Sequence, residues 1–81
     1  MTKKRRGSVP KRAMKLMQDI NDEAVLHHTA PGINRCMVLV ERAWVSAEVA
    51  YQVGTQTKLA QARARWKIAK NCLAKVGGGP P

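Results

Sequence analysis

The chain has 81 residues, of which 15 are Lys or Arg and 5 are Asp or Glu, so the formal net charge is +10 at pH 7. A chain of this length has room for one hydrophobic core. Two Cys are too few for a disulfide-dense secreted scaffold, and no apolar run approaches the ~20 residues of a transmembrane helix. With so few acids, two His and no Gly-rich loop, we expect neither an enzyme nor a cofactor or metal site. Because no apolar signal segment follows the basic start, a cytoplasmic, nucleoid or nuclear location is expected.

The positive charge lies in two blocks on either side of an acidic middle. Residues 1–15 contain seven basic residues and no acid, and residues 55–81 contain six basic residues and no acid. All five acids lie within residues 16–54. Segregated positive charge favours a polyanionic partner. The alternative is that the basic faces only keep a small protein soluble.

The first part of the sequence predicts a disordered basic arm over residues 1–8 and then a helix over residues 10–27. The arm has no apolar anchor, and its consecutive cations repel one another. These cations are Lys3, Lys4, Arg5 and Arg6. Ser8 is a suitable N-cap residue, and Pro10 falls in the first turn, where proline is tolerated. An apolar stripe at helical spacing follows, formed by Ala13, Leu16, Met17, Ile20 and Ala24.

Two longer helices are predicted over residues 33–53 and residues 56–76. Gly54 is suited to end the first of them, and Thr55 or Thr57 to cap the second. The apolar stripe of the first consists of Ile33, Met37, Val40, Trp44, Ala47 and Tyr51. The stripe of the second consists of Leu59, Ala62, Trp66, Ala69, Leu73 and Val76.

If the chain folds back at Gly54, the two stripes meet layer by layer in a single register. The predicted fold class is therefore all-α, an antiparallel helical hairpin of two long helices plus one shorter N-terminal helix. Residues 9–76 are expected to form a single domain, followed by a flexible Gly/Pro tail over residues 77–81. The middle helix has a second apolar side, on which we expect the first helix to pack. Left uncovered, this side would serve as a partner or homo-oligomer surface. It consists of Val38, Val45 and Val49.

The cysteines and histidines have structural interpretations. The hairpin register places Cys36 and Cys72 roughly level, so a disulfide is geometrically conceivable. Without a secretory context, two reduced thiols are expected. His27 and His28 lack the paired ligand spacing of a zinc site, and they are expected to interact with the end of the first helix.

Residues 49–65 resemble a DNA-binding helix-turn-helix. The apolar positions and the turn glycine of that motif are matched by Val49, Ala50, Val53 and Gly54. The resemblance implies base contacts in the major groove by Gln56, Thr57, Lys58 and Gln61. The sequence departs from the motif at Thr55 and Arg63, where apolar residues are usual. The paired stripes also require near-antiparallel packing, whereas the motif crosses at a wide angle.

The basic side of the third helix is the main candidate binding surface. Spacings of four and three residues place Arg63, Lys67 and Lys70 on one side of the helix. Together with the N-terminal cations, they are expected to contact phosphates without reading the base sequence. The complete set of candidate nucleic-acid-binding residues is Lys3, Lys4, Arg5, Arg6, Lys11, Arg12, Lys58, Arg63, Arg65, Lys67 and Lys70.

Ion pairs within the molecule are predicted to neutralise only part of this charge. Asp19 lies four residues after Lys15, which is a favourable helical spacing. The hairpin register is expected to bring Glu41 and Glu48 near basic residues of the third helix. Surface pairs of this kind contribute only ~0–1 kcal/mol each, so they do not account for the surplus of cations.

The sequence therefore predicts a small basic helical protein that binds DNA or RNA mainly through phosphate contacts, in an architectural, packaging or regulatory role. The alternative is a protein-binding regulator or inhibitor, such as an accessory protein of a virus or mobile element. It would dock on a larger machine that handles nucleic acid, and an acidic groove on that machine would attract the same cations. A basic amphipathic helix also suits a membrane surface, but here its apolar side already has a partner helix, so no membrane contact is expected.

Overall fold

The computed structural model describes residues 8–76. Within this range the chain forms three helices and no strand, namely α1 (Ser8–His27), α2 (Asn34–Val53) and α3 (Gln56–Val76). The all-α class and the three helices are as predicted, and α1 begins two residues earlier than expected. The predicted tail and residues 1–7 of the predicted arm lie outside the described residues.

Local signals explain where α2 ends and α3 begins. Gly54 has a left-handed backbone conformation (φ 76°, ψ 25°), which glycine adopts without a Cβ clash. Its N–H donates a hydrogen bond to Ala50 O at 2.8 Å. Thr55 Oγ1 accepts a hydrogen bond from the Lys58 N–H at 3.3 Å, so Thr55 caps α3. Only residues 54–55 separate the two helices, and α3 therefore starts beside the end of α2.

A disulfide joins the far ends of the same two helices. Cys36, in the first turn of α2, is bonded to Cys72 near the end of α3, and their Cα atoms are 5.6 Å apart. The predicted level placement of the two cysteines is thus correct. The expected reduced thiols are wrong, because the packing brings the two Cα atoms within the range of about 4.4–6.8 Å that a bridge requires. Among residues 8–76, the most extensive contact between two helices is the one between α2 and α3.

The hydrophobic core draws on all three helices. In α3 the buried residues are those of the predicted stripe, Leu59, Ala62, Trp66, Ala69 and Leu73. The buried residues of α1 are Val9, Ala13, Leu16 and Ile20. The buried residues of α2 are Cys36, Val40, Ala43, Ala47 and Ala50.

The buried line of α2 differs from the predicted stripe. Trp44 is only partly buried and Tyr51 is 41% exposed, whereas Ala43 and Ala50 are fully inside. The prediction favoured large apolar side chains. Small side chains at the contact allow helix axes to come closer, and the larger ones then pack at its edges.

The placement of α1 also corrects a prediction. We expected α1 to cover the second apolar side of α2, but it does not, since Val38 and Val45 are 54% and 55% exposed. Val49, the third residue of that side, is partly buried. Instead, α1 packs mainly on α2 and to a lesser extent on α3. A helix that contacts two others buries more of its apolar stripe than it would against three valines of one helix.

Candidate nucleic-acid interface

An open basic groove runs between α1 and α3. Its lining consists of Lys11, Arg12, Lys15, Leu16 and Asp19 from α1 and Arg63 from α3. Lys11 and Lys15 are one helical turn apart, so both ammonium groups lie on the same side of α1. The groove has an apolar component in Leu16, which is buried, and its rim is mostly cationic.

Arg63 also belongs to a second shallow concavity that continues along α3. This concavity is lined by Arg63, Trp66, Lys67, Lys70 and Asn71. Because Arg63 is common to both, the two concavities form one continuous surface across α1 and α3. We call its six cations the basic surface: Lys11, Arg12, Lys15, Arg63, Lys67 and Lys70.

The buried Trp66 helps to orient one cation of this surface. Lys70 Nζ lies 5.9 Å from the centroid of the Trp66 ring. A cation over an aromatic ring at an exposed site gains about 0.5–1 kcal/mol, which is enough to favour one position of a lysine side chain. Trp66 therefore has two roles, since it fills the core and supports Lys70 at the surface.

Most of the basic surface is not neutralised from within. Among residues 8–76, the ion pairs are Lys15 with Asp19 at 3.3 Å and His27 with Glu23 at 3.4 Å. The predicted Lys15–Asp19 pair is thus present. Glu41 lines a concavity with Arg65 of α3, so the expected proximity is present for this acid, but neither Glu41 nor Glu48 forms an ion pair within 4.0 Å among residues 8–76. Apart from Lys15, the cations of the basic surface have no ion-pair partner among residues 8–76.

The predicted binding residues do not all lie together. Lys11, Arg12, Arg63, Lys67 and Lys70 belong to the basic surface, whereas Lys3, Lys4, Arg5 and Arg6 lie outside the described residues. Arg65 lies two residues after Arg63, about 200° around the helix, and contributes to a different concavity with Leu39, Arg42 and Ile68. Lys58 is partly buried at the start of α3 and lines neither part of the basic surface. Lys15 was missed, although its spacing of four from Lys11 was a usable signal.

The contacts between α2 and α3 do not fit a helix-turn-helix. That motif needs a wide crossing angle, but the Cys36–Cys72 bond holds the far ends of α2 and α3 together. Arg63, which stands where the second helix of the motif buries an apolar residue, is exposed. The resemblance of residues 49–65 is therefore limited to the sequence, and the base contacts it implied lose their structural basis.

The remaining candidate sites are accounted for by local contacts. His28 Nδ1 lies 2.9 Å from Val25 O, which is the expected interaction with the end of α1, while His27 pairs with Glu23. In the part of the chain that the structure describes, no group of three His, Cys, Asp or Glu is placed to hold a metal ion. Over the same residues, no helix has both the length and the apolar character needed to cross a bilayer.

Comparison with protein-family models, with curated proteins and with solved structures finds no match to this chain. The basic surface is therefore the feature of the molecule that points to a function. Its two distinguishing properties are that it joins residues from two helices and that most of its cations have no acidic neighbour within 4.0 Å among residues 8–76.

Proposed function

We propose that this protein binds nucleic acid through phosphate contacts made by the basic surface. The scaffold is an antiparallel hairpin of α2 and α3, with α1 packed against it to complete the groove. The observation that carries the proposal is the convergence of cations from α1 and α3 on one open groove, where Lys15 alone has an acidic partner among the described residues.

The chemistry of this surface favours contacts to the backbone over contacts to bases. Lysine and arginine bind phosphate oxygens and release condensed counterions, which supplies affinity independent of sequence. Amide side chains that read adenine are scarce here, since Asn71 is the single Asn or Gln in the lining. An architectural, packaging or regulatory role follows, in which the protein recognises the presence and shape of a nucleic acid and does not modify it.

The first expected result is a steep salt dependence. If each of the five cations other than Lys15, which pairs with Asp19, neutralises one phosphate, the logarithm of the binding constant for duplex DNA should fall against the logarithm of salt concentration with a slope of about −4.5. Fluorescence anisotropy with random-sequence duplex DNA, duplex RNA and single strands over a series of salt concentrations measures this slope. Absence of binding to all of these at low salt would contradict the proposal. So would retention of a protein partner after nuclease treatment without any such binding, and that result would favour a protein-binding regulator.

A second expected result is a gain of affinity from one substitution. Asp19 lines the groove, and its Oδ1 lies 3.3 Å from Lys15 Nζ. Its carboxylate therefore repels phosphate and also neutralises one cation of the basic surface. The substitution D19N should tighten binding to duplex DNA about fivefold to tenfold at low salt and make the salt slope steeper by about 1. A gain is informative because loss of folding cannot imitate it.

The matched control is D22N, which removes the same charge from an exposed position of α1 that does not line the groove. We expect D22N to change affinity much less than D19N. Equal gains in the two variants would show that only the net charge matters, and the groove would then have no special role.

A further inference from the structure

The cations of the basic surface lie in two rows on two neighbouring helices. The row on α1 is Lys11, Arg12 and Lys15, and the row on α3 is Arg63, Lys67 and Lys70. Both helices contribute buried residues to one core, and their Cα atoms approach within 8 Å of one another. The separation of the two rows is therefore set by the packing of the helices.

A double helix presents its phosphates in a matching arrangement. Its two strands border each groove, and in B-DNA the minor groove is about 6 Å wide and the major groove about 12 Å wide. Two rows of cations on helices that approach within 8 Å can therefore each follow one strand. A single strand offers one row of phosphates and would have to fold back on itself to meet both helices. That costs conformational entropy, whereas a duplex is already stiff over about 150 base pairs.

The aromatic residues provide a second, independent observation. Proteins that hold single strands stack the bases on exposed aromatic side chains. This chain has two Trp, one Tyr and no Phe, and of these only Trp66 lines the basic surface. Trp66 is 7% exposed, and Lys70 Nζ lies over its ring, so no base can stack on it. The basic surface thus offers positive charge without a stacking platform.

We infer that the ligand of the basic surface is a double helix and that single strands bind to it more weakly. This inference rests on the proposed function and names the class of nucleic acid that the surface recognises. The shared chemistry is a pair of phosphate strands that border a groove, which both duplex DNA and duplex RNA supply.

The expected preference follows from the release of counterions. Each neutralised phosphate contributes about −0.9 to the salt slope on duplex DNA and about −0.7 on a single strand. The five cations other than Lys15 therefore predict slopes of about −4.5 and about −3.5. If the two affinities are equal at about 1 M salt, this difference alone favours the duplex about tenfold at 0.1 M.

The first test measures this preference with the full chain. Fluorescence anisotropy of a labelled random-sequence duplex DNA is followed while an unlabelled competitor is added. The competitors are duplex DNA, duplex RNA and oligodeoxythymidine, each with the same number of phosphates. Duplex competitors should be at least about tenfold more effective than oligodeoxythymidine near 0.1 M salt. Better competition by one of the two duplexes supports the inference and tells which duplex the surface prefers.

The second test adds the stacking platform that the surface lacks. Asn71 is exposed and neutral, and it lines the same concavity as Lys67 and Lys70. The substitution N71W places an aromatic ring there without a change of charge. It should raise the affinity for oligodeoxythymidine about fivefold or more, and the affinity for the duplex by less. The matched control N71L adds an apolar side chain that cannot stack, and should leave the ratio of the two affinities as it is in the parent protein.

The inference and the proposed function fail in different ways. Oligodeoxythymidine that competes as well as the duplexes overturns the inference and leaves the proposed function intact. The same holds if N71W, shown to be folded by circular dichroism, does not shift the ratio of affinities toward the single strand. Absence of binding to every one of these nucleic acids contradicts the proposed function, and the inference falls with it.

Discussion

Reduction of the Cys36–Cys72 disulfide should lower the free energy of unfolding by about 4 kcal/mol, because the bond closes a loop with a sequence separation of 36. In the chain-entropy model the bond acts by restricting the unfolded chain, and the effect grows slowly with loop length. Since small domains have only about 5–15 kcal/mol of stability in total, the reduced protein should be close to marginal.

Urea denaturation followed by circular dichroism, with and without reductant, measures this loss. The control is C72A, which has no bridge and should show the same stability with and without reductant. Alkylation and mass spectrometry of the untreated protein should find no free thiol. Two free thiols under air, or equal stability of the oxidised and reduced forms, would contradict the prediction.

The parts of the fold that the sequence predicted are those with strong local signals. The bounds of the helices follow from the breaks at Gly32 and Gly54, which both have positive φ, and from the cap at Thr55. The buried stripe of α3 follows from its regular spacing, because only one side of that helix carries a continuous row of apolar residues.

The prediction failed where a helix offers more than one apolar side. In α2 the spacing alone did not distinguish the line through Ala43 and Ala50 from the line through Trp44 and Tyr51. The choice depends on how closely the helices approach, which is a property of the whole packing. The exposure of Val38 could not be predicted for the same reason, because the position of α1 also depends on the whole packing.

Only part of the basic surface could be predicted from the sequence. The grouping of Arg63, Lys67 and Lys70 on one side of α3 was visible from their spacing. The groove that joins Arg63 to Lys15 could not be predicted, because the two residues are distant in sequence and meet only after α1 packs against α2 and α3. Arg65 lines a different concavity together with Leu39 and Arg42 of α2, and this placement could not be predicted without the position of α2.

Neutralising the α3 part of the basic surface should have the largest effect on binding. The variant R63Q/K67Q/K70Q removes three cations from one continuous surface, each a candidate phosphate contact. The salt slope for duplex DNA should become shallower by about 3, and affinity near 0.1 M salt should fall roughly 100-fold. These side chains are exposed, so the helix itself should remain folded. Loss of the Lys70–Trp66 contact is a minor change in stability.

A charge-matched variant separates location from net charge. R35Q/R65Q/K75Q also removes three cations, all exposed and none of them in the lining of the basic surface. Thermal unfolding of both variants and of the parent protein controls for stability.

The decisive measurement is the affinity of these three proteins for the same random-sequence duplex, titrated at several salt concentrations. Binding through the basic surface predicts a large loss of affinity and a shallower slope for R63Q/K67Q/K70Q, with R35Q/R65Q/K75Q close to the parent protein. Equal losses in the two variants would contradict it, because the cations of α3 would then act only through the total charge of the molecule.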